Sequence, residues 1–445
     1  MQLTFDQSTA IEMMLGFIAS EDMFFVLKGY AGTGKTTCMA ELIAQAGEDV
    51  KWFATATTHK AAKVLADKLP IPCSTIHKLL GLKLTDDSEQ QHLVFANDNQ
   101  KDDAFAGAIV IVDEASMMTN ELLEHAAKWC ADHRAKMIFV GDIAQLPPVE
   151  KGEKVLPGAV SPVWLKGYPE AELHEIMRYD GGIAVLGERI REAIEREDNF
   201  FSIQPDNDGQ KGVFKVSDSL FEQSIRRAAA KRMFLQEDQV VVTAYTNARV
   251  SQLNDIVRAT MWGEEANQQY VAEERIVLTA PYKVDDAFGK KKPLRNRQEF
   301  RVLNVTPTDI RYTVDFGGDN VNVTYKAWNL VCEDEDGREY LLTTLASESA
   351  EEFKQMSATI ANRAKSAQTT WEKKRMWSQF WKHDGCLAKV AYAYAFTTHT
   401  TQGSTYQNVI VDVKNIMGLY KVDVKTRLRS LYVAVTRAAK TLIVN

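Results

Sequence analysis

Short apolar runs recur along the chain at strand length: Met23–Leu27, Val50–Thr57, Met137–Val140, the QVVVTAYTN run over Gln239–Asn247, and Val409–Val413. The run AIVIVDEAS over Ala108–Ser116 is apolar until it meets two carboxylates, and parallel strands buried on both faces read this way. Helical periodicity fills the intervals, over Ser8–Ile18, from Thr36 onward, over 60–69, 182–196, from Ala248 to about Gly263, and around Leu431–Ala438. Three stretches break the pattern. Residues 80–106 are rich in Asp, Asn and Gln around one apolar island, His92-Leu93-Val94-Phe95, and predict a small inserted hairpin. Residues 197–225 are polar and read as irregular. Residues 298–345 alternate apolar and polar positions, with turn signals at Gly317-Gly318 and Asp336-Gly337, and predict a small β-barrel followed by a polar helical stretch over 347–382. No internal repeat and no low-complexity segment interrupts this order.

Composition narrows the class. At 445 residues, 45% apolar and 25% charged, the chain suits a soluble globular protein of roughly two to four domains. No uncharged apolar run is long enough to cross a bilayer, and no basic start leads into an apolar core, so a cytoplasmic protein without a membrane partner is expected. The five cysteines (38, 73, 130, 332 and 386) are scattered, which fits a reducing compartment and neither a zinc site nor a disulfide framework. The net charge of −7 means that a nucleic-acid partner has to be gripped by a local basic groove.

The chemistry centres on GYAGTGKT, residues 29–36, which matches the phosphate-loop pattern G-x-x-x-x-G-K-[ST] between a strand and a helix. Glycines 29, 32 and 34 let the backbone curl its N–H groups toward an anion, and the following helix adds its positive end. The expected nucleotide contacts are Gly29, Ala31, Gly32, Thr33, Gly34, Lys35, Thr36 and Thr37, with Lys35 on the β- and γ-phosphates and the Thr36 hydroxyl on Mg²⁺. Gln7 has two readings, an adenine contact or a solvated helix-start residue. Asp113 suits the Mg²⁺ shell, Glu114 the general base that orients water, and Gln145, in GDIAQLPPV, a γ-phosphate sensor. Thr57, His59 and His77, in ATTHKAA and STIH, suit phosphate oxygens of a strand backbone, while helix capping by Thr57, Thr58 and Ser74 is the plainer reading of the same segments.

The ordered set GYAGTGKT, ATTHKAA, STIH, VDEAS and GDIAQLPPV resembles the motifs of superfamily 1 helicases, and most closely the RecD-like and phage Dda-like branch. The resemblance covers nearly the whole chain and implies an α/β fold with two RecA-like domains. The first would span 1–79 and 107–170, the second 171–269 and 390–445. The hairpin of 80–106 would be a wedge, and 270–389 a β-barrel and helical insertion. It further implies arginine fingers at Arg178, in LHEIMR, and Arg437, in LYVAVTRA. YAYAFTTHTTQGST resembles motif V, with Thr397, His399 and Gln402 as DNA or coupling residues. Thr400 stands where the family carries lysine.

Phe95, expected near the hairpin tip, is either the wedge or a packing residue; Asn247 is a further DNA candidate. Trp371, Trp377 and Trp381, interleaved with Lys373, Lys374, Arg375 and Lys382, either stack bases or fill a core. Lys290, Lys291, Lys292, Arg295 and Arg297 form either a basic contact or a solvated loop. What the resemblance implies is a monomeric, ATP- and Mg²⁺-dependent DNA helicase. Its track would be single-stranded DNA, travelled 5′ to 3′, and its substrate forked duplex DNA in phage-type replication or recombination. A single-strand-binding protein or other replication proteins would be its partners. A translocase that strips bound proteins, or an ATP-switched DNA-binding mediator, are the alternatives.

Overall fold

The computed structural model describes residues 3–96, 103–148, 159–175, 181–285 and 291–445. In chain order its first part contains α1 (Phe5–Ala19), β1 (Phe24–Gly29), α2 (Lys35–Gln45), β2 (Trp52–Ala56), α3 (His59–Ala66), β3 (Cys73–Thr75) and α4 (Ile76–Leu79). The hairpin strands β4 (Leu82–Leu84) and β5 (Leu93–Phe95) follow, then β6 (Ile109–Asp113), α5 (Asn120–His133), β7 (Lys136–Gly141) and β8 (Glu170–Leu173). Six of the strands form one parallel sheet in the order β3-β2-β6-β7-β1-β8. Successive side chains alternate between its faces. Phe25 and Leu27 join Ile11, Met14, Met39 and Leu42 on one side, and Val26 joins Val110, Leu122 and Phe139 on the other. Burial on both faces explains why β6 and β7 carry no polar side in the sequence. Because all six strands point one way, the ends of β1, β6 and β7 bring Gly29, Asp113 and Asp142 to a common edge, where open parallel sheets hold their ligands.

The second part contains α6 (Gly182–Arg196), β9 (Asp206–Asn207), β10 (Gly212–Lys215), α7 (Asp218–Ala230), β11 (Val240–Ala244) and α8 (Asn247–Trp262). An insertion follows: β12 (Arg275–Leu278), β13 (Tyr282–Asp285), β14 (Lys291–Leu294), β15 (Glu299–Asp315), β16 (Asn320–Glu333), β17 (Glu339–Leu345), α9 (Ala350–Ser366), α10 (Thr370–Asp384) and β18 (Val390–Tyr392). The chain then returns through β19 (Ala395–Thr397), α11 (Thr398–Thr401), β20 (Tyr406–Val411), α12 (Val413–Met417), α13 (Val424–Val435) and β21 (Ala438–Val444). The second sheet runs β19-β11-β20-β21-β10-β9, parallel except at β9. Residues 197–225 are more regular than their polarity suggests, since β9, β10 and the start of α7 lie there. These strands are short, and α7 buries a single face, Phe221, Ile225, Ala228 and Ala229, so the apolar signal is diluted.

In the insertion the antiparallel sheet runs β17-β16-β15-β12-β18 around a core of Ile276, Phe300, Val302, Leu330 and Leu342. The β15–β16 pair is far longer than a small barrel needs, so its distal half projects as a ribbon that turns at Gly317 and Gly318, both at positive φ. Helices α9 and α10 pack against that end through Phe316, Ala364, Met376 and Trp377. The insertion is tied to α8 by a buried Arg258–Glu274 ion pair of 2.5 Å, and the same guanidinium lies 4.1 Å from the Tyr392 ring centroid. Breaking one partner of such a pair strands a buried charge, so this is a fixed joint.

Candidate functional site

At the end of β1 the chain turns through Gly32 (φ 86°) and Gly34 (φ 78°), conformations that favour glycine. A Cβ at Gly34 would sit 2.5 Å from Gln7 Nε2, and one at Gly29 would sit 2.7 Å from Thr33 Oγ1, so a side chain at either position would displace the groups that brace the loop. Gln7 is buried, which removes its solvated reading. Its Oε1 accepts from Thr4 N (3.1 Å) and its Nε2 donates to Thr33 O (3.1 Å), bracing the loop from the first turn of α1. The Lys35 ammonium donates to Gly29 O (2.7 Å) and Tyr30 O (2.8 Å), and Thr36 and Thr37 open α2. A curled loop, a lysine at its mouth and a helix N-terminus together form an anion cradle.

Glu114 faces this cradle. It adopts the left-handed region (φ 54°, ψ 40°) that a non-glycine residue occupies at a cost, and its N–H donates to Asp113 Oδ1 (2.8 Å). Burial and the neighbouring Asp113 carboxylate raise its pKa to about 7, against the opposing pull of Arg437 and Lys35. Those last two groups stand on different sheets, so the cleft between the sheets converges on this carboxylate. The loop after α11 completes the wall: a Cβ on Gly403 (φ 81°) would lie 3.8 Å from Glu114 Oε1. Arg437 is buried and donates to Val433 O (3.0 Å), Ser404 O (3.1 Å) and Thr436 Oγ1 (3.1 Å). Gln145, also buried, accepts from Gln402 Nε2 at 2.9 Å. Arg178 lies outside the described residues.

A second cleft, of about 1030 Å³, runs beside the first. Thr57, His77, Pro147 and Pro148 line one wall, Arg297, His399 and Gln402 another, and Lys373 and Lys374 of α10 a third. His59 stands near it: burial, then Arg295, His77 and Lys78, lower its pKa to about 4. Burial and Arg297 lower that of His399, which lies edge-on to Tyr245 at 5.7 Å. Both imidazoles are thus neutral hydrogen-bonding groups, and the cationic character comes from Arg297 and the lysines. Arg297 belongs to the predicted basic run, but it is half-buried at the cleft and not in a solvated loop; Lys290 lies outside the described residues. Thr397 Oγ1 meets Thr400 Oγ1 at 2.9 Å, so the threonine that replaces the family lysine bonds within its own turn. Asn247 is exposed at the start of α8.

Three expectations change here. Phe95 pairs with Leu82 at the root of the hairpin, not near its tip, and packs edge-on against His125 at 5.0 Å. The apolar island belongs to the returning strand, and the tip is polar. Trp377, on α10, borders the second cleft but is only 2% exposed and packs with Ala364 and Met376 against α9, so its ring face is covered and offers no surface for a base. Trp381 is half-buried and donates from Nε1 to Ser88 O at the hairpin tip (2.9 Å), flanked by Lys365–Glu89 (2.6 Å) and Lys374–Asp87 (3.0 Å). The hairpin and the inserted helices therefore meet and roof the second cleft. Trp371 stays open, 68% exposed, with Arg375 over its ring.

Comparison with known proteins agrees with this architecture. An AAA domain profile matches residues 2–198, a Dda helicase SH3 domain profile 267–391, and a UvrD-like helicase C-terminal domain profile 392–444. The chain is similar to the ATP-dependent DNA helicase dda of Enterobacteria phage T4, at 27% identity over 98% of this chain and 97% of that one. The three matches, in this order along the chain, give it the domain composition of a Dda-like helicase. Among solved structures, a Pif1 helicase pair described at forked duplex DNA matches with TM-score 0.52 and 15% identity, over 100% of this chain and 92% of that one. Bacteroides Pif1 with ADP-AlF3 and single-stranded DNA matches with TM-score 0.51 at the same identity and coverage. These likenesses carry the fold.

Within this helicase fold, the residues predicted for the phosphate loop, with Glu114 and Arg437, converge on one cleft, whereas Gln145 touches the seam through Gln402. Sequence reasoning missed three groups. Asp142 is fully buried and accepts from Ala31 N (3.1 Å), Ala144 N (2.9 Å) and the Tyr432 hydroxyl (2.7 Å). Tyr432 comes from α13, and Arg191 of α6 lies 3.9 Å over the Tyr30 ring. Asp142 and Tyr432 stand inside motifs already singled out, GDIAQLPPV and LYVAVTRA, but their partners lie hundreds of residues away. No local pattern marks Arg191.

Proposed function

We propose that this ATP-dependent DNA helicase moves along one DNA strand by closing the cleft between its two sheets around ATP. The observation that supports the proposal is the Gln145–Gln402 hydrogen bond of 2.9 Å: Gln402 lines the second cleft while its amide bonds to Gln145, the proposed γ-phosphate sensor. Nucleotide chemistry and strand contact thus share one side-chain pair.

In this reading the loop N–H groups and Lys35 bind the β- and γ-phosphates. Glu114 takes a proton from the attacking water as the terminal P–O bond to ADP breaks. Arg437 swings from its carbonyl partners onto the transferring phosphoryl group, and arginines in that role contribute ~10³–10⁵ in rate. Arg178 is its proposed companion. Among the described residues no cluster of three or more His, Cys, Asp or Glu side chains forms a metal cage. A hydroxyl and one carboxylate at the same sheet edge fit Mg²⁺ shared with substrate phosphates, so Thr36 and Asp113 would hold it. That ion would neutralise charge on the phosphates. Thr57, His77 and His399 would contact the strand backbone as neutral donors, with Arg297 and Lys373 supplying charge. Strand entry beneath the hairpin would divert the partner strand, which makes a forked duplex the substrate.

Lys35→Ala is expected to abolish DNA-stimulated ATP hydrolysis and keep most single-strand binding; unchanged turnover would end the proposal. Forked duplexes with a single 5′ or 3′ tail are expected to open from the 5′ tail. Displacement of a bound protein without opening either fork would identify a stripping translocase instead.

A further inference from the structure

The phosphate loop is gripped from the opposite sheet as well as from its own. Ala31 N–H lies 3.1 Å from Asp142 Oδ2 and 3.2 Å from the Tyr432 hydroxyl, and that hydroxyl donates to the same Oδ2 at 2.7 Å. Asp142 and Tyr432 are both fully buried. One residue before Ala31, Tyr30 carries the Arg191 guanidinium 3.9 Å above its ring. The first half of the loop is therefore held by α6 and α13, which belong to the other sheet. Burial and the Asp142 carboxylate push the Tyr432 hydroxyl well above the usual phenol range, so it stays protonated and acts as a donor.

We infer that Tyr432 is a positioning residue that locks the phosphate loop to α13 when the cleft closes, so that ATP binding and domain closure stabilise each other. The inference rests on the reading of the cleft as the ATP site. Two features give it force. Asp142 is an acid beside a cradle for a triphosphate, and the three donors around it keep its charge satisfied and fixed in direction. Tyr432 is the donor that arrives from across the cleft, so this bond forms only with the walls together. The same helix leads directly into Arg437, which stands near Glu114. Locking α13 at Tyr432 therefore also sets where the arginine enters. A carboxylate held by a tyrosine hydroxyl and a loop amide has two arrangements, joined and parted, and ATP biases the joined one.

Tyr432→Phe keeps the ring and its packing and removes only the O–H. With saturating oligothymidylate DNA, its KM for ATP is expected to rise about tenfold, the scale of one hydrogen bond to a buried charged group. An unchanged KM overturns the inference whatever kcat does, because lost active protein lowers kcat alone. Asp142→Asn should raise KM similarly. The double variant should rise no further than the larger single change; multiplied effects would mean that the two groups act separately, which also overturns it. Lys35→Ala runs beside them. Turnover in that variant defeats the ATP-site reading, whereas its silence with a normal KM in Tyr432→Phe defeats only the lock.

Discussion

Glu114, the proposed general base, shows what such a role costs the fold. Its backbone is left-handed, its carboxylate is enclosed beside Asp113, and its pKa rises from 4.5 to about 7. Between those values the native chain keeps a proton that the unfolded chain has released, so stability falls as pH rises through the window. The usable base grows over the same interval. The kcat/KM for ATP is therefore expected to climb with pH to a plateau with a midpoint near 7, the value for the free enzyme. Glu114→Gln should lower kcat by about 10²-fold or more and flatten that limb. A variant that keeps the wild-type pH limb would assign the titration to another group. His59 and His399, lowered by burial, contribute no positive charge to the second cleft at neutral pH.

The element that matters most outside the sheets is the hairpin, and its contacts divide into root and tip. At the root Phe95 packs on His125 with Lys128 5.2 Å over its ring, which is core work. At the tip a hydrogen bond and two exposed ion pairs join it to α9 and α10. Exposed pairs of this kind contribute ~0–1 kcal/mol each, so the Trp381 donor is the specific part of the contact. Trp381→Phe combined with Lys374→Ala is expected to lower base pairs opened per ATP about threefold or more with near-normal ATPase, as the roof loosens. Phe95→Ala should instead cost ~0.5–3 kcal/mol of stability, as for a partly buried side chain, and leave that ratio intact. Strand-separation and ATPase assays on both variants decide it; a lower ratio in Phe95→Ala at unchanged melting temperature would restore the wedge role.

At the scale of the molecule, the proposed motor depends on two sheets that sense each other. Separating a base pair costs ~1.4 kcal/mol of stacking on average, so one closure per base is modest in energy, and the demand falls on coupling. Gln402 spans the seam, bonding to Gln145 and to Ser116 Oγ at 3.3 Å. Gln402→Ala is expected to reduce stimulation of the ATPase by DNA several-fold with little change in the DNA-free rate, measured as the ratio of the two. An unchanged ratio would move the coupling elsewhere, and Tyr432 is then the strongest remaining link. The net charge of −7 demands a local grip on DNA, and in the proposed reading Arg297 and Lys373, which line the second cleft, would supply it.

Much of this was legible along the chain because its physics is local. A phosphate loop needs glycines at fixed offsets between a strand and a helix. A buried parallel strand has to be apolar throughout, and the acids at its end stand out against that background. The long insertion showed its turns at Gly317-Gly318 and Asp336-Gly337 because only certain residues turn a ribbon. What stayed illegible is set by distance in sequence. Whether an aromatic faces a base, a core or a carbonyl depends on which surface folding brings opposite it. Trp377 and Trp381 share one helix and one composition, yet the first fills a core and the second binds a hairpin tip. Tyr432, Asp142 and Ala31 meet across 401 positions of chain, and no window of sequence contains a bond formed only when two sheets close on each other.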